Sequence, residues 1–111
     1  MNYHILQTLL MLGNTPNKNG FKYLQYAVSL YYSNLPYILS QKALYKEIAL
    51  KFCVTPSSIE KSIRISITSS WHNRNVELAD KIFGNSVVKN DIPTNSIYIA
   101  AIAEFLSCVN P

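Results

Sequence analysis

The chain has 111 residues, of which 49 % are hydrophobic and 14 % are charged, and its formal net charge is +4. This length and apolar content suit a single domain over residues 1–111, with a core that needs no metal or disulfide. No apolar run approaches the ~20 residues of a membrane helix and no basic segment of a signal peptide is present, so we expect a cytoplasmic protein with no membrane partner.

Apolar residues recur every three or four positions along the chain, which predicts an all-α fold of six helices. The predicted helices span about residues 3–12, 20–33, 41–52, 57–71, 76–83 and 95–106. Residues 85–93 are predicted to form a loop, since the apolar run at 86–88 is too short for a convincing strand.

Several helix ends carry residues that favour capping. Single caps are predicted at Gly13, Ser40, Asn75, Gly84 and, for the last helix, Thr94 or Asn95. The fourth helix has two candidate starts. Thr55 followed by Pro56 favours one, and a capping box of Ser57 with Glu60 favours a start one or two residues later.

The two cysteines, Cys53 and Cys108, lie far apart, with no CxxC spacing and no histidine pair nearby. A zinc site needs about four soft ligands, so we expect no metal site and no cofactor. We predict that both cysteines are free, buried thiols, which suits a reducing cytoplasm.

The third and fourth helices are predicted to form a helix-turn-helix over about residues 41–72. Ala49, Cys53 and Ile59 stand at offsets of four and ten, which is the spacing of the small and apolar residues in that motif. The motif is also basic. Residues 40–76 hold six Lys or Arg and two Glu, and cations and acids balance elsewhere, so a polyanion is the expected partner.

At ~100° per residue, the fourth helix has an apolar face and a polar face. The apolar face holds Ile59, Ile63, Ile67, Ser70 and Trp71. The polar face holds Ser57, Ser58, Lys61, Arg64, Ile65 and Thr68. Cations and hydroxyls can bind guanine edges or phosphates, and a lone apolar side chain can contact a thymine methyl, although a solvated amphipathic helix has the same pattern.

We therefore predict two sets of contacts with double-stranded DNA. The base contacts are Ser58, Glu60, Lys61, Arg64 and Ile65. The phosphate contacts are Lys42, Lys46, Thr55, Ser57, Thr68, His72 and Arg74. Glu60 has two possible roles, since it could accept from a cytosine amino group or close the capping box with Ser57.

Two other classes of function compete with DNA binding. Tyrosines could form an aromatic surface for a protein partner, although at their spacings they are more typical of half-buried core. They are Tyr23, Tyr26, Tyr31, Tyr32, Tyr37 and Tyr45. An enzyme is not expected, because the chain lacks a Ser-His-Asp arrangement, a glycine-rich phosphate loop and paired acids.

Five stretches resemble, in order, the C-terminal effector domain of the stage-zero sporulation response regulator family. They are GFKYLQYAVSLYY at 20–32, LYKEIALKF at 44–52, TPSSIEKSIRISITSSW at 55–71, LADKIFGNS at 78–86 and PTNSIYIAAIAEFL at 93–106. The resemblance implies a transcription activator or repressor whose fourth helix binds a short operator element. It also implies binding as a homodimer on tandem sites and contact with an RNA polymerase sigma factor.

In that family an N-terminal receiver domain, phosphorylated on Asp, controls the effector domain. Residues 1–19 are too few for a receiver, so we expect none in this chain. Glu60 and Arg64 match the family's recognition helix, and Lys61 replaces an arginine. Ser58 stands where the family has an arginine and Ile65 where it has a histidine, so we predict a relaxed or altered operator.

Overall fold

The computed structural model describes residues 2–33, 40–84 and 92–109. In these ranges the chain forms six α-helices and one short 3₁₀ helix and contains no strand. The α-helices are α1 (Asn2–Met11), α2 (Asn19–Ser33), α3 (Gln41–Phe52), α4 (Pro56–Ser70), α5 (Val76–Phe83) and α6 (Asn95–Val109), and the 3₁₀ helix is Trp71–Asn73. The prediction of an all-α, six-helix fold is confirmed, whereas the predicted loop at 85–91 lies outside the described residues.

Helix α2 lies at the centre of the molecule and packs against α1, α3, α4 and α6. It contributes fully buried side chains such as Leu24 and Val28, which meet the isoleucines of α4 and α6 in one core. Helix α6 packs in addition on α1, α4 and α5. No described helix is long and apolar enough to cross a membrane.

The predicted caps are present where the structure describes them. Ser40 Oγ accepts from the Ala43 N–H at 3.1 Å, and Asn75 and Thr94 cap α5 and α6 in the same way. Both glycines that end helices have positive φ, at +92° for Gly13 and +58° for Gly84. These values explain the choice of glycine, because this region of backbone space disfavours a Cβ atom.

The two candidate starts of α4 are now resolved. Thr55 is the N-cap, since its Oγ1 accepts from the Ser58 N–H at 3.1 Å, and Pro56 occupies the first turn. The alternative capping box of Ser57 with Glu60 is wrong, because α4 has already begun before Ser57. The side chain of Glu60 is exposed and is therefore available for another role.

The prediction of buried thiols is wrong, since Cys53 and Cys108 are free and exposed. Cys53 ends α3 in the left-handed region, with a φ of +56°, where the tight turn directs its side chain to the surface. Cys108 lies near the C-terminal end of α6, beyond the apolar stripe that ends at Leu106.

The tyrosines of the competing protein-interaction hypothesis belong to the core where they are described. Tyr23, Tyr31 and Tyr45 are buried, and Tyr26 and Tyr32 are partly buried against the same core. Tyr37 lies outside the described residues. The surface of the described residues therefore does not present these rings as an aromatic patch.

A buried polar network joins the loop after α1 to α4 and α6. Asn14 Nδ2 donates to the Leu9 carbonyl at 3.1 Å and to the Tyr98 hydroxyl at 2.9 Å, and Ser66 Oγ donates to Asn14 Oδ1 at 2.9 Å. Burial raises the pKa of Tyr98 to about 12, so its hydroxyl stays protonated in the folded protein. A satisfied network of this kind fixes the register of the elements that it joins.

Gly20 allows α2 to approach α4 closely. A Cβ atom at this position would overlap the Ser62 carbonyl oxygen and would lie 2.6 Å from Ser66 Cβ. The absence of a side chain on α2 and the small serines on α4 allow the two backbones to pack directly.

We predict that Gly20→Ala lowers the free energy of unfolding by about 1–3 kcal/mol, the usual cost of overpacking. Alanine normally stabilises a helix relative to glycine by about 0.5–1 kcal/mol, so the sign of the effect identifies the steric cause. Urea unfolding measures it, with Ser33→Ala on the exposed end of α2 as the matched control. A Gly20→Ala variant as stable as the parent chain would show that the helices do not meet at this point.

Candidate nucleic-acid interface

Helix α4 has the two faces that its sequence predicts. Ile59, Ile63 and Ile67 are fully buried, and Trp71, which follows the helix, is 5 % exposed. On the opposite face the side chains predicted for DNA contacts are exposed or half-buried. Ile65 stands out there, since it is apolar yet 59 % exposed.

The turn between α3 and α4 holds the two helices at a fixed angle. Ala49 is buried beneath the turn, and its carbonyl oxygen accepts from the backbone N–H groups of Cys53 and Val54. Cys53 takes the left-handed position at which this motif usually has glycine, at a backbone cost of about 1 kcal/mol. The predicted helix-turn-helix geometry is therefore present, with Ile59 filling the space between its helices.

Exposed lysines surround the outer face of α4. Lys42 and Lys46 lie one turn apart on α3, and Lys61 lies on α4. Among the described residues no carboxylate lies within salt-bridge distance of these three ammonium groups. They are therefore free to bind an anionic partner without breaking an existing ion pair.

The N-terminal turn of α4 brings together three of the predicted contacts. Thr55 Oγ1 donates to Ser58 Oγ at 2.9 Å while accepting from the Ser58 N–H, and Ser57 beside them is exposed. The Thr55 hydroxyl is thus committed to the cap, whereas the Ser58 hydroxyl keeps its own proton for a partner. The free amides and positive dipole end of the helix favour a phosphate at this position.

Arg64 is half-buried and is already engaged within the protein. Its Nη1 donates to the Pro93 carbonyl oxygen at 2.6 Å, across 29 residues of sequence. The neighbouring Asn95 is buried, and its Nδ2 donates to the Glu60 backbone carbonyl at 3.1 Å and to the Tyr45 hydroxyl at 3.2 Å. The start of α6 is therefore fixed against the same turn of α4 that carries Glu60 and Arg64.

An open groove of about 600 Å³ runs between the first turns of α3, α4 and α6. Its lining includes three predicted DNA contacts, Glu60, Lys61 and Arg64, together with Thr94 and Ser96. Two further lining atoms, Gln41 Oε1 and Asn95 Oδ1, are buried and have no hydrogen-bond partner among the described residues. Helical periodicity does not indicate this junction, because the residues of α6 are distant from α4 in sequence. The Pro-Thr-Asn-Ser stretch at 93–96, where α6 begins, is the one sequence signal at this place.

Three other predicted phosphate contacts lie toward the C-terminal end of α4. His72 is exposed, whereas Thr68 Oγ1 donates to the carbonyls of its own helix, the shortest at 3.0 Å to Arg64. Arg74 stacks over the Trp71 ring, with 4.2 Å between its guanidinium carbon and the ring centroid, and Nη1 donates to the Trp71 carbonyl at 2.6 Å. The Arg74 side chain thus covers the Trp71 ring. A contact of Arg74 with a DNA phosphate stays a prediction.

Within the described ranges no three His, Cys, Asp or Glu side chains lie together in a way that could hold a metal ion. Comparison with known protein families shows the family to which the chain belongs. A family model described as "Sporulation initiation factor Spo0A C terminal" matches residues 5–106, which spans the core, the helix-turn-helix and most of α6.

We predict that Arg74→Ala lowers the free energy of unfolding by about 1–2 kcal/mol, because it removes both the stacking contact and the hydrogen bond that close the 3₁₀ helix. His72→Ala, at an exposed position in the same turn, is the matched control and should change stability by less than about 0.5 kcal/mol. Thermal unfolding of both variants measures the difference. If Arg74→Ala and His72→Ala were equally stable, the contacts of Arg74 with Trp71 would not contribute to stability.

Proposed function

Since the chain belongs to the family of Spo0A C-terminal domains of sporulation initiation factors, we propose that α4 is a recognition helix that binds the major groove of a specific DNA element. The family is one of DNA-binding transcription regulators rather than of enzymes. The observation that carries the proposal is the outer face of α4, which holds an exposed lysine, a half-buried arginine, hydroxyls and the exposed Ile65, and is flanked by the lysines of α3.

The side chains on this face differ in the base atoms that they can contact. Lys61 and Arg64 can donate to the guanine O6 and N7 atoms, and Ser58 can donate or accept. Glu60 can accept from a cytosine amino group, since the structure frees its carboxylate from the capping role. Ile65 is placed to contact a thymine methyl group.

Phosphate contacts position the domain without choosing the sequence. We assign them to Lys42 and Lys46 on α3, to the first amides of α4 with Ser57, and to His72 beyond its end. The hydroxyls of Thr55 and Thr68 donate within the protein, so neither keeps a proton to donate to a phosphate oxygen.

The operator of this chain should differ from that of the family at the positions contacted by Ser58 and Ile65. Serine cannot form the two parallel hydrogen bonds that arginine forms with guanine, a difference of about 1–3 kcal/mol at one base pair. Isoleucine cannot donate a hydrogen bond as histidine can, and it favours a methyl-bearing base instead.

The family resemblance supports three further elements of the proposal. The domain acts in the cytoplasm, binds as a homodimer on tandem sites, and activates or represses genes by contact with a sigma factor of RNA polymerase. A protein-interaction module without DNA binding is less well supported, because the described tyrosines that it would need are buried or half-buried.

Selection of bound sequences from a random DNA pool, at stated salt concentrations, tests the proposed function. We expect one short preferred element, with affinity that falls steeply as salt rises because phosphate binding releases counterions. Replacing Lys42 and Lys46 together by alanine should reduce the slope of log K against log salt by about 2, since each phosphate contact contributes about 0.9.

Lys81→Ala is the matched control, because Lys81 is an exposed lysine on α5 that pairs at 3.9 Å with Glu77. It should leave the salt dependence of binding unchanged. Recovery of no preferred element, together with binding that does not respond to salt, would exclude the proposed function.

A further inference from the structure

The residues at the start of α6, Pro93 to Asn95, form hydrogen bonds with the recognition helix at two points one turn apart. The Pro93 carbonyl accepts from the Arg64 guanidinium, and the Asn95 amide donates to the backbone carbonyl of Glu60, four residues earlier on α4. We infer that Asn95 and the Pro93 carbonyl are positioning groups, which hold Arg64 in the orientation that contacts its base. This inference rests on the proposed function.

The chemistry of the arginine permits both roles at once. A guanidinium is a planar group with several N–H donors, and it presents two of them together to the edge of a guanine. The contact with Pro93 uses Nη1, so the Nη2 and Nε donors remain for a base. Because the side chain is half-buried and held at 2.6 Å, it is ordered before DNA arrives.

The position of the Pro93 carbonyl is itself well defined. The proline ring fixes the φ angle of Pro93, and this residue is buried. Two residues later, Asn95 is only 9 % exposed, and its Nδ2 donates to two acceptors on different helices, Glu60 on α4 and Tyr45 on α3. The amide therefore joins α6 to both helices of the helix-turn-helix.

Asn95 is not required to start α6, which separates its role from helix capping. The N-cap is Thr94, whose Oγ1 accepts from the Ile97 N–H at 3.3 Å and whose carbonyl accepts from the Tyr98 N–H at 2.9 Å. The Asn95 side chain is thus free to point across to α4. A specificity determinant of the recognition helix then lies about twenty residues beyond the end of the helix-turn-helix, where the motif alone would not indicate it.

The first test measures order in the free protein. In ¹⁵N-labelled chain, the Arg64 Nε–H signal should show a restrained side chain, and Asn95→Ala should make it as mobile as an exposed arginine. Pro93→Ala, which keeps the carbonyl but releases φ, should change the signal in the same direction. Tyr45→Phe is the control, since it removes one acceptor of Asn95 and leaves the Glu60 contact in place.

The second test measures base preference. The base pair that Arg64 contacts is the one whose preference is lost in Arg64→Ala. At this pair Asn95→Ala should reduce the preference at least fivefold, while the Kd for a random duplex at the same salt changes less than twofold. A loss of stability alone would weaken binding to the selected duplex and to the random duplex equally.

The outcomes separate this inference from the proposed function. If Asn95→Ala and Pro93→Ala are folded and the Arg64 signal remains restrained in both, or if Asn95→Ala weakens both duplexes equally, the positioning role is wrong. If the parent chain binds no duplex selectively, the proposed function fails, and the positioning role for base recognition fails with it whatever the Arg64 signal shows. The inference is supported if the Arg64 side chain is restrained in the parent chain and mobile in both variants, and if Asn95→Ala selectively loses the preference at the base pair that Arg64 contacts.

Discussion

At the crossing of α2 and α4, Gly20 brings the backbone of one helix against the Ser62 carbonyl and the Ser66 side chain of the other. A larger residue on either side would tilt or lift α4 from the core, because protein interiors are close-packed and cannot absorb an added carbon atom without movement. This contact therefore sets how closely α4 packs against α2. Ser66 also donates to Asn14, so the same point is tied to the buried network with Tyr98.

Once α4 is fixed in this way, its outer face becomes a rigid platform. Thr55 caps its first turn, and Arg74 stacks over Trp71 beyond its last turn. The Asn95 side chain and the Pro93 carbonyl form hydrogen bonds with its middle. Binding sites on rigid helices are more precise than sites on loops, since the contacting groups are ordered before the partner arrives. The fold therefore supplies a positioned surface, and in the proposed function the few side chains on this surface decide which DNA sequence fits.

Most of the fold and of this surface could be predicted from the sequence, because helix periodicity and capping are local properties. The burial of Ile59 and the exposure of Ile65 follow from their angular positions on one helix. The exposure of Cys53 could not be predicted, since a small thiol usually lies in the core and its left-handed backbone is visible only in the structure. The contacts of Asn95 and Pro93 could not be predicted either, because they join residues about thirty positions apart, and helical periodicity gives no information about contacts at that separation.

The central claim is that the outer face of α4 is the surface that meets DNA. Titration of the ¹⁵N-labelled chain with its selected duplex, followed through the backbone amide shifts, tests this most directly. We expect the largest changes at Ser57, Ser58, Lys61 and Ile65, with no change at Leu10 or Val109, which are exposed apolar residues on α1 and at the end of α6. Shifts confined to α1, α5 or the C-terminal half of α6, with α4 unaffected, would contradict it.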